Sequence, residues 1–473
     1  MSSLLRSRLQ SIADKGFSII GMSNQQERKL APAEIIKLCH MLLSGRGEAS
    51  GAAISREILN CYKRLDEPEK TDFFRLLLSE FSVEQDKALD AANAYVSNPN
   101  HQNLDRLRSA SQPSRLNLIT RLNQAPNATR YLVEMRADLL ARLREAPELR
   151  FVDREFVHLF TSWFSRGFLD LRSIDWNTPA AILEKIIKYE AVHGMAGWED
   201  LRKRINPEDR RIFAFFHPRL GDEPLIFVEV ALMDEVPSAI DSVLGNENSE
   251  GAALDSKRAN SAIFYSISNC QKGLRGIPLG NFLIKQVVEE LRTEYPNLKN
   301  FVTLSPVPSF RKWAASALEG TSDIQQLSPA ARKALELASK DGWQNDARAA
   351  QEIETILTPM AAWYLCNGNP ERHQIDPVAR FHLGNGARLD RVNWAADRSE
   401  NGMNGSFGIM VNYRYQLDEI ETNHEAFANK GQIVASPAVS RAAKVFDNML
   451  ARQISAAASA SGESASIESA GMS

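Results

Sequence analysis

The chain has 473 residues, more than one hydrophobic core usually organises, so we expect two domains. With 44% hydrophobic residues, 24% charged residues and a formal net charge of −3, the composition is that of a globular protein. It excludes a broad electrostatic attraction to nucleic acid or to an anionic membrane. The 4 cysteines lack C-x-x-C spacing, which argues against a zinc site and a disulfide framework and favours a reducing, cytoplasmic location.

The first 170 residues repeat the apolar spacing of amphipathic helices. Pro32 and Pro68 each precede such a stripe, as proline at the first position of a helix does. Short connections between these helices predict an all-α antiparallel bundle over residues 1–170. The segment Ser2–Ile12 has Arg and Ser but no acidic residue, which fits either a short transit-like segment or a surface helix.

Residues 171–450 predict a domain of mixed helices and strands. Pro179 starts a helix that we expect to end at His193. Two segments rich in Ile, Phe and Val flank a turn at Gly221, which predicts a β-hairpin formed by Arg211–Phe216 and Pro224–Leu232. Residues 451–473 are rich in Ala and Ser, and we expect them to form a mobile tail because they offer few apolar groups to bury.

A strand, a glycine loop, a helix and a second strand are predicted at the centre of this domain. Residues Ala262–Ser268 alternate between two faces, as a strand does. Apolar residues at i, i+3, i+4 and i+7 from Ile284 to Leu291 predict a helix, and Phe301–Leu304 a second strand.

The loop between them contains Gly273, Gly276 and Gly280. A glycine loop that leads into a helix leaves backbone N–H groups free and directs the positive end of the helix dipole towards phosphate. The loop is basic as well, since Lys272, Arg275 and Lys285 lie in it or just after it. A tight turn without a ligand is the alternative interpretation.

Two polar residues at element ends are candidates for chemistry. Ser305 follows the second strand and precedes Pro306, so its hydroxyl can be presented at the carboxyl end of the strand, although Ser-Pro also starts turns. His382 stands just before an Asn385-Gly386 turn, where a structural role is the alternative to a catalytic one. A late strand alternates through Ile409–Gln416 and contains Tyr415.

Five segments from Asp153 to Ser436 together resemble malonyl-CoA decarboxylases: A-I-F-Y-S-I-S, G-N-F-L-I-K, L-S-P-V-P-S-F-R-K-W, F-H-L-G-N-G-A and N-Y-R-Y. The resemblance implies an α+β protein in which a helical domain, used for oligomerisation, precedes a catalytic domain similar to the GNAT-type acyltransferases. A homo-oligomer, a dimer or a tetramer, is therefore expected.

The resemblance also assigns the loop to the pyrophosphate of coenzyme A. The residues assigned to coenzyme A binding are Gly273, Leu274, Arg275, Gly276, Ile277, Leu279, Gly280 and Asn281. Members of the family often have an acidic residue two positions after the second glycine. Pro278 stands there in this chain, so a role for that carboxylate is excluded.

The family's catalytic pair matches His382 and Ser305, and its substrate pocket matches Ser266 and Tyr415. Decarboxylation of a malonyl thioester needs neither a metal nor an organic cofactor, because the thioester carbonyl accepts the electrons left by CO₂. Histidine is the side chain that titrates near neutral pH, which makes His382 the candidate acid, with Ser305 binding the carboxylate or relaying the proton. Acyl transfer from coenzyme A to an amine, on the same scaffold, is the alternative function.

Overall fold

The computed structural model describes residues 30–452, except 46, 246–257, 280–282, 323, 325–326, 341 and 369–374. The segment Ser2–Ile12, the loop residues Gly280 and Asn281 and nearly all of the predicted tail lie outside the described residues. The backbone forms two compact units. The first contains the described residues up to Asp170 together with those of 215–226 and 269–280, and the second contains the others. The domain boundaries at 170 and 450 stay predictions.

The first unit is built from helices up to Trp163. The start of one of them shows why: the Asp66 side chain accepts a hydrogen bond from the Glu69 N–H, and Pro68 occupies the first turn, as the sequence predicts. The helices bury their apolar faces, with Phe73 and Phe74 inaccessible to solvent. The helices are α1 Pro32–Ser44, α2 Glu48–Lys63, α3 Glu67–Glu80, α4 Gln85–Ser97, α5 His101–Ala110, α6 Ser114–Leu122, α7 Ala128–Arg142 and α8 Arg150–Trp163.

A mixed sheet organises the second unit. Its spatial order is β1-β2-β3-β4-β5-β8-β6, and β7 pairs with β8. The two predicted hairpin strands, β2 and β3, are neighbours, which confirms that prediction. The strands are β1 Asp170–Ile174, β2 Arg210–Phe216, β3 Pro224–Met233, β4 Ser261–Asn269, β5 Asn300–Thr303, β6 Ser305–Pro306, β7 Arg388–Asn393 and β8 Met410–Arg414.

Helices lie between these strands along the chain and after the last of them. They are α9 Ala180–Tyr189, α10 Trp198–Ile205, α11 Asp241–Leu244, α12 Leu283–Glu294, α13 Phe310–Leu318, α14 Pro329–Ala338, α15 Ala347–Cys366, α16 Pro377–Gly384, α17 Glu400–Ser406 and α18 Ile420–Lys430, and residues 437–452 are also helical. Within the described part of the chain, none of the helices has the length and apolar character that crossing a membrane requires.

One helix is shorter than the sequence predicts. We expected the helix after Pro179 to continue to His193, but α9 ends at Tyr189. The Glu190 carboxylate accepts hydrogen bonds from the Val192 and His193 N–H groups, at 2.9 and 2.7 Å, so the chain turns at this residue. A side chain that competes with the helix for backbone N–H groups ends it early.

The central strand–loop–helix–strand unit is confirmed. Strand β4 pairs in parallel with β5, with Ala262 opposite Phe301 and Phe264 opposite Thr303. The predicted apolar stripe of α12 is buried. The predicted fold class, a helical N-terminal region followed by a mixed-sheet domain, is therefore also confirmed.

Candidate active site

Ser305 lies where the chain leaves β5 and enters β6. Its Oγ donates to Thr303 Oγ1 at 2.9 Å, and the same threonine oxygen accepts the Tyr413 N–H at 3.1 Å. Ser305 is buried and pairs with Val411 of β8. The strand end thus presents the hydroxyl as the sequence predicts, and a second hydroxyl, on Thr303, orients it.

His382 lies in the last turn of α16, a helix whose two ends are both held. At the start, the Asp376 carboxylate accepts the N–H groups of Val378 and Ala379, and Pro377 occupies the first turn. At the end, Gly386 has φ +82°, and a Cβ atom there would lie 2.1 Å from the carbonyl oxygen of Ile420. The Asn-Gly turn therefore seats the end of the helix against α18 and fixes the position of His382.

The structure brings Ser305, His382 and Tyr415 into one hydrogen-bonded chain. His382 Nε2 lies 2.9 Å from Ser305 Oγ, and His382 Nδ1 lies 2.9 Å from Tyr415 Oη. Because the one hydroxyl hydrogen of Ser305 is donated to Thr303, Nε2 must carry the hydrogen that points at Ser305. Nδ1 then accepts from the Tyr415 hydroxyl. The donors run in one direction, from Tyr415 through His382 and Ser305 to Thr303.

Burial sets the charge state of this chain. The Tyr413 ring stacks on the imidazole at 4.6 Å between centroids, and His382 is only 2% exposed. Burial lowers the pKa of His382 to about 3, so the ring is neutral at neutral pH. It raises the pKa of Tyr415 well above its ordinary value, so the phenol keeps its hydrogen. The expectation that His382 titrates near neutral pH is therefore wrong for this enclosed ring.

Ser266 takes part in a second polar cluster on the same face of the sheet. It follows Phe264 by two residues on β4, as Ser305 follows Thr303 where the chain leaves β5, and Phe264 and Thr303 are register partners. Its Oγ donates to both carboxylate oxygens of Glu190, at 2.9 and 2.8 Å.

Ser268 Oγ also donates to the Glu190 carboxylate, at 3.0 Å. Both hydroxyl hydrogens are therefore directed to one buried carboxylate, and Ser266 offers an approaching ligand its oxygen as an acceptor. Glu190, Ser268 and Thr303 belong to these clusters, and sequence reasoning assigned none of them to the site. Strand alternation could have found Thr303, two residues before Ser305, whereas Glu190 fell inside the helix that was predicted to continue to His193.

The glycine loop belongs to the first unit, and its apolar side chains turn inward. Leu274, Ile277 and Leu279 are buried, so their contribution to a ligand would come from the backbone, while the Arg275 side chain is exposed. Gly273 has a packing reason, because a Cβ atom there would lie 1.8 Å from the carbonyl oxygen of Val133 in α7.

Other loop assignments fare differently. Gly276 has φ +77°, which favours glycine. Gly280 and Asn281 lie outside the described residues. Lys285, which we counted among the basic groups for a pyrophosphate, donates to Glu421 Oε1 at 2.8 Å in the second unit.

Within residues 30–452, the stated gaps excluded, no group of three or more His, Cys, Asp or Glu side chains has an arrangement that could hold a metal ion.

Comparison with protein families gives two matches that follow each other along the chain. Residues 81–164 match the malonyl-CoA decarboxylase N-terminal domain, and residues 167–455 match the malonyl-CoA decarboxylase C-terminal domain. The chain is 36% identical over 353 residues to the mitochondrial malonyl-CoA decarboxylase of Rattus norvegicus, an alignment that covers 70% of this chain and 71% of the relative. It is 35% identical over 356 residues to that of Anser anser anser, covering 71% and 70%.

Solved structures agree with these matches. The malonyl-CoA decarboxylase of Rhodopseudomonas palustris superposes with a TM-score of 0.83 at 50% identity, covering 87% of this chain and 100% of the other. That of Agrobacterium vitis gives 0.80 at 51% identity, covering 86% and 99%. Both the sequence and the backbone are therefore similar over most of the chain.

Proposed function

Because this chain belongs to the malonyl-CoA decarboxylase family, we propose that it converts malonyl-CoA to acetyl-CoA and CO₂. The observation that carries the proposal is the buried chain from Tyr415 through His382 to Ser305, with 2.9 Å on each side of the imidazole. These are three of the four residues that the family resemblance assigned to the pair and the pocket.

The first step breaks the bond between the malonyl carboxylate and the α-carbon. The electron pair of that bond moves into the thioester carbonyl, which gives an enolate, and CO₂ leaves. Overlap with the carbonyl π system requires the carboxylate to stand perpendicular to the carbonyl plane. Positioning of this kind lowers the barrier without a charged catalyst, which suits the neutral chain of Tyr415, His382 and Ser305.

The second step returns one proton to the α-carbon. A neutral His382 is a weak proton donor by itself, but it carries an Nε2 hydrogen directed at Ser305. The Ser305 hydroxyl gives its proton to the enolate carbon, and the proton on His382 Nε2 moves to the Ser305 oxygen. The Tyr415 hydroxyl in turn gives its proton to His382 Nδ1. Solvent then restores the single proton that the net reaction consumes. This assigns His382 and Ser305 the roles of relay and immediate donor.

The proposed reaction needs no metal and no organic cofactor, since the substrate's own thioester holds the electrons. We propose in addition a homo-oligomer in a reducing, cytoplasmic setting. The cysteines support that setting because Cys39, Cys61, Cys270 and Cys366 are all free thiols. Fractionation of cells that express the protein would test the location, and recovery in a membrane or organelle fraction would contradict it.

The decisive assay gives purified protein malonyl-CoA and no amine, after dialysis against a chelator. We expect one acetyl-CoA and one CO₂ per malonyl-CoA consumed, with Ser305→Ala as the control for contaminating activity. Loss of turnover on dialysis would contradict the cofactor-free mechanism. In a parallel reaction to which an amine is added, acylation of that amine without release of CO₂ would support the acyltransferase alternative instead.

A further inference from the structure

A buried arginine of helix α7 forms hydrogen bonds with the backbone of the glycine loop. Arg136 is 2% exposed, and its Nη1 donates to the carbonyl oxygens of Gly273, at 2.7 Å, and Arg275, at 2.9 Å. Its Nε donates to Asp153 Oδ1 of α8 at 2.7 Å, and its Nη2 lies 3.5 Å from Oδ2. One guanidinium thus joins two helices and a loop within the first unit, with the Asp153 carboxylate balancing its charge.

The loop also touches α7 directly. Gly273 packs so closely on the helix that any side chain would meet the carbonyl oxygen of Val133, which lies one helical turn before Arg136. The contact and the two hydrogen bonds act on the same side of the loop. Together they fix which way the peptide planes of residues 273–276 face.

The geometry of the peptide bond determines where the Gly276 N–H points. In a trans peptide the C=O and the N–H of the next residue point in opposite directions. Since the Arg275 carbonyl points at Arg136, the Gly276 N–H points away from it. Within the described part of the chain this N–H donates to no other group, and Gly276 is exposed.

We propose that Arg136 is a positioning residue for coenzyme A: it holds the loop so that the Gly276 N–H is presented to the substrate's pyrophosphate. The inference rests on the proposed function and deepens it. Arg136 does not touch the phosphate, because its hydrogen bonds are directed at the loop carbonyls and at Asp153.

The test replaces Arg136 by lysine and compares two substrates. The lysine ammonium is a single donor centre without the guanidinium fork, so it cannot hold two carbonyls and a carboxylate in the same geometry. We expect the KM for malonyl-CoA to rise about tenfold or more, with a smaller change in kcat. Malonyl-pantetheine has no pyrophosphate, and its KM should be the same for the variant and the wild type.

A matched control comes from the same helix. Arg142 is also buried, and its hydrogen bonds go to Thr71, Glu67 and Asp138 rather than to the loop. Arg142→Lys should lower the thermal midpoint without raising the KM for malonyl-CoA. If Arg136→Lys does not fold, Asp153→Asn takes its place, because it removes the ion pair and leaves both carbonyl bonds possible. It should change the KM for malonyl-CoA in the same direction and by less.

Calorimetry with free coenzyme A separates this proposal from the proposed function, because it needs no turnover. We expect weaker binding to Arg136→Lys, by about tenfold, and unchanged binding to Arg142→Lys. Equal KM changes for both substrates, an unchanged affinity for coenzyme A, or the same loss in both arginine variants would each overturn the proposal.

Discussion

The imidazole of His382 is enclosed, and this determines which chemistry it can perform. A ring whose pKa lies near 3 stores no proton at neutral pH, but it can pass one between two hydroxyl groups. The malonyl carboxylate is a negative charge, and its arrival next to the ring would favour the protonated form. If His382 acts as the proposed relay, its protonation should therefore depend on whether the substrate is bound.

Removing either member of the pair should therefore break the same relay. Ser305→Ala and His382→Asn should each lower kcat by on the order of 100-fold or more, since positioning and proton transfer are each worth about 10² to 10⁴. The double variant should lose far less than the product of the two effects. His158→Asn, a change at an exposed histidine of α8, is the control. Steady-state kinetics on folded variants decides it, and wild-type turnover in either single variant would refute that residue's role.

The same burial predicts a pH dependence of stability. An unfolded chain protonates this histidine near its ordinary pKa of about 6.5, whereas the folded protein does so only near 3. Between these values the unfolded state binds the extra proton, so His382 makes stability fall as the pH falls, by about 1.4 kcal/mol per pH unit. When the free energy of unfolding is measured by denaturant titration from pH 4.5 to 7.5, it should therefore change less with pH in His382→Asn than in the wild type. Identical slopes would show that the ring titrates freely in the fold.

Glu190 is a buried carboxylate of the site that no sequence pattern indicated. Glu190→Gln replaces one acceptor oxygen by an NH₂ group, so the hydroxyls of Ser266 and Ser268 cannot both keep donating in their present geometry. We expect kcat/KM to fall about tenfold, an order-of-magnitude estimate for lost charge-assisted hydrogen bonds at a positioned group. Glu184→Gln, on the exposed side of α9, should have no effect. A fully active, folded Glu190→Gln would mean that the two serines need no fixed direction.

Residues at strand ends were easier to predict than those that support them. Ser305 and Tyr415 belong to short motifs, and strand period and a following proline constrain where their side chains lie. Glu190 and Ser266 are 76 positions apart, and no local pattern joins them. The neutral state of His382 was also beyond the sequence, because it depends on enclosure by Tyr413 and Phe381 rather than on residue type.

Among the elements, α16 shows how a short helix can be placed accurately. Eight residues make a weak helix on their own, but Asp376 caps the start and the Gly386 turn fixes the end. The sequence indicated the Asn-Gly turn, and the structure adds why glycine is required there. Element types were predictable from period and capping, whereas the end of α9 was not, because Glu190 competes for the backbone N–H groups beyond it.

Two glycines of this element offer a matched pair. Gly386→Ala places a Cβ atom 2.1 Å from the Ile420 carbonyl oxygen at a positive φ, and it should cost about 1–3 kcal/mol and displace His382. Gly384→Ala meets no atom within 4 Å and should be neutral or slightly stabilising. Chemical denaturation and kcat measured on both variants test this. Equal behaviour of the two would mean that the turn does not position the helix.

At the scale of the whole molecule, part of the helical unit is poorly buried. Leu89 and Val96 lie seven residues apart on α4 and are 62% and 78% exposed, and α5 buries none of its side chains. Large exposed apolar side chains on one face of a helix are typical of interaction surfaces. They support the proposed homo-oligomer without determining its symmetry.

Light scattering at micromolar concentration measures the assembly directly. We expect a mass that is a multiple of the 52.8 kDa chain, twofold or fourfold. Leu89→Glu with Val96→Glu should lower that mass if α4 lies in the contact, while Leu116→Glu, at a half-buried site of α6, serves as a comparison. A mass of one chain for the unmodified protein would refute the oligomer.

The close packing of Gly273 on α7 has a consequence for recombination of the gene. The codon for Gly273 lies about 140 codons after those for Val133 and Arg136, yet both of these residues contact Gly273 within the first unit. A crossover between them, with a distant relative as the other parent, would join a helix from one lineage to a loop from another. Selection should therefore keep the two ends of this reading frame together, and chimeric genes joined between positions 136 and 273 should be viable only when both parents carry a compatible helix and loop.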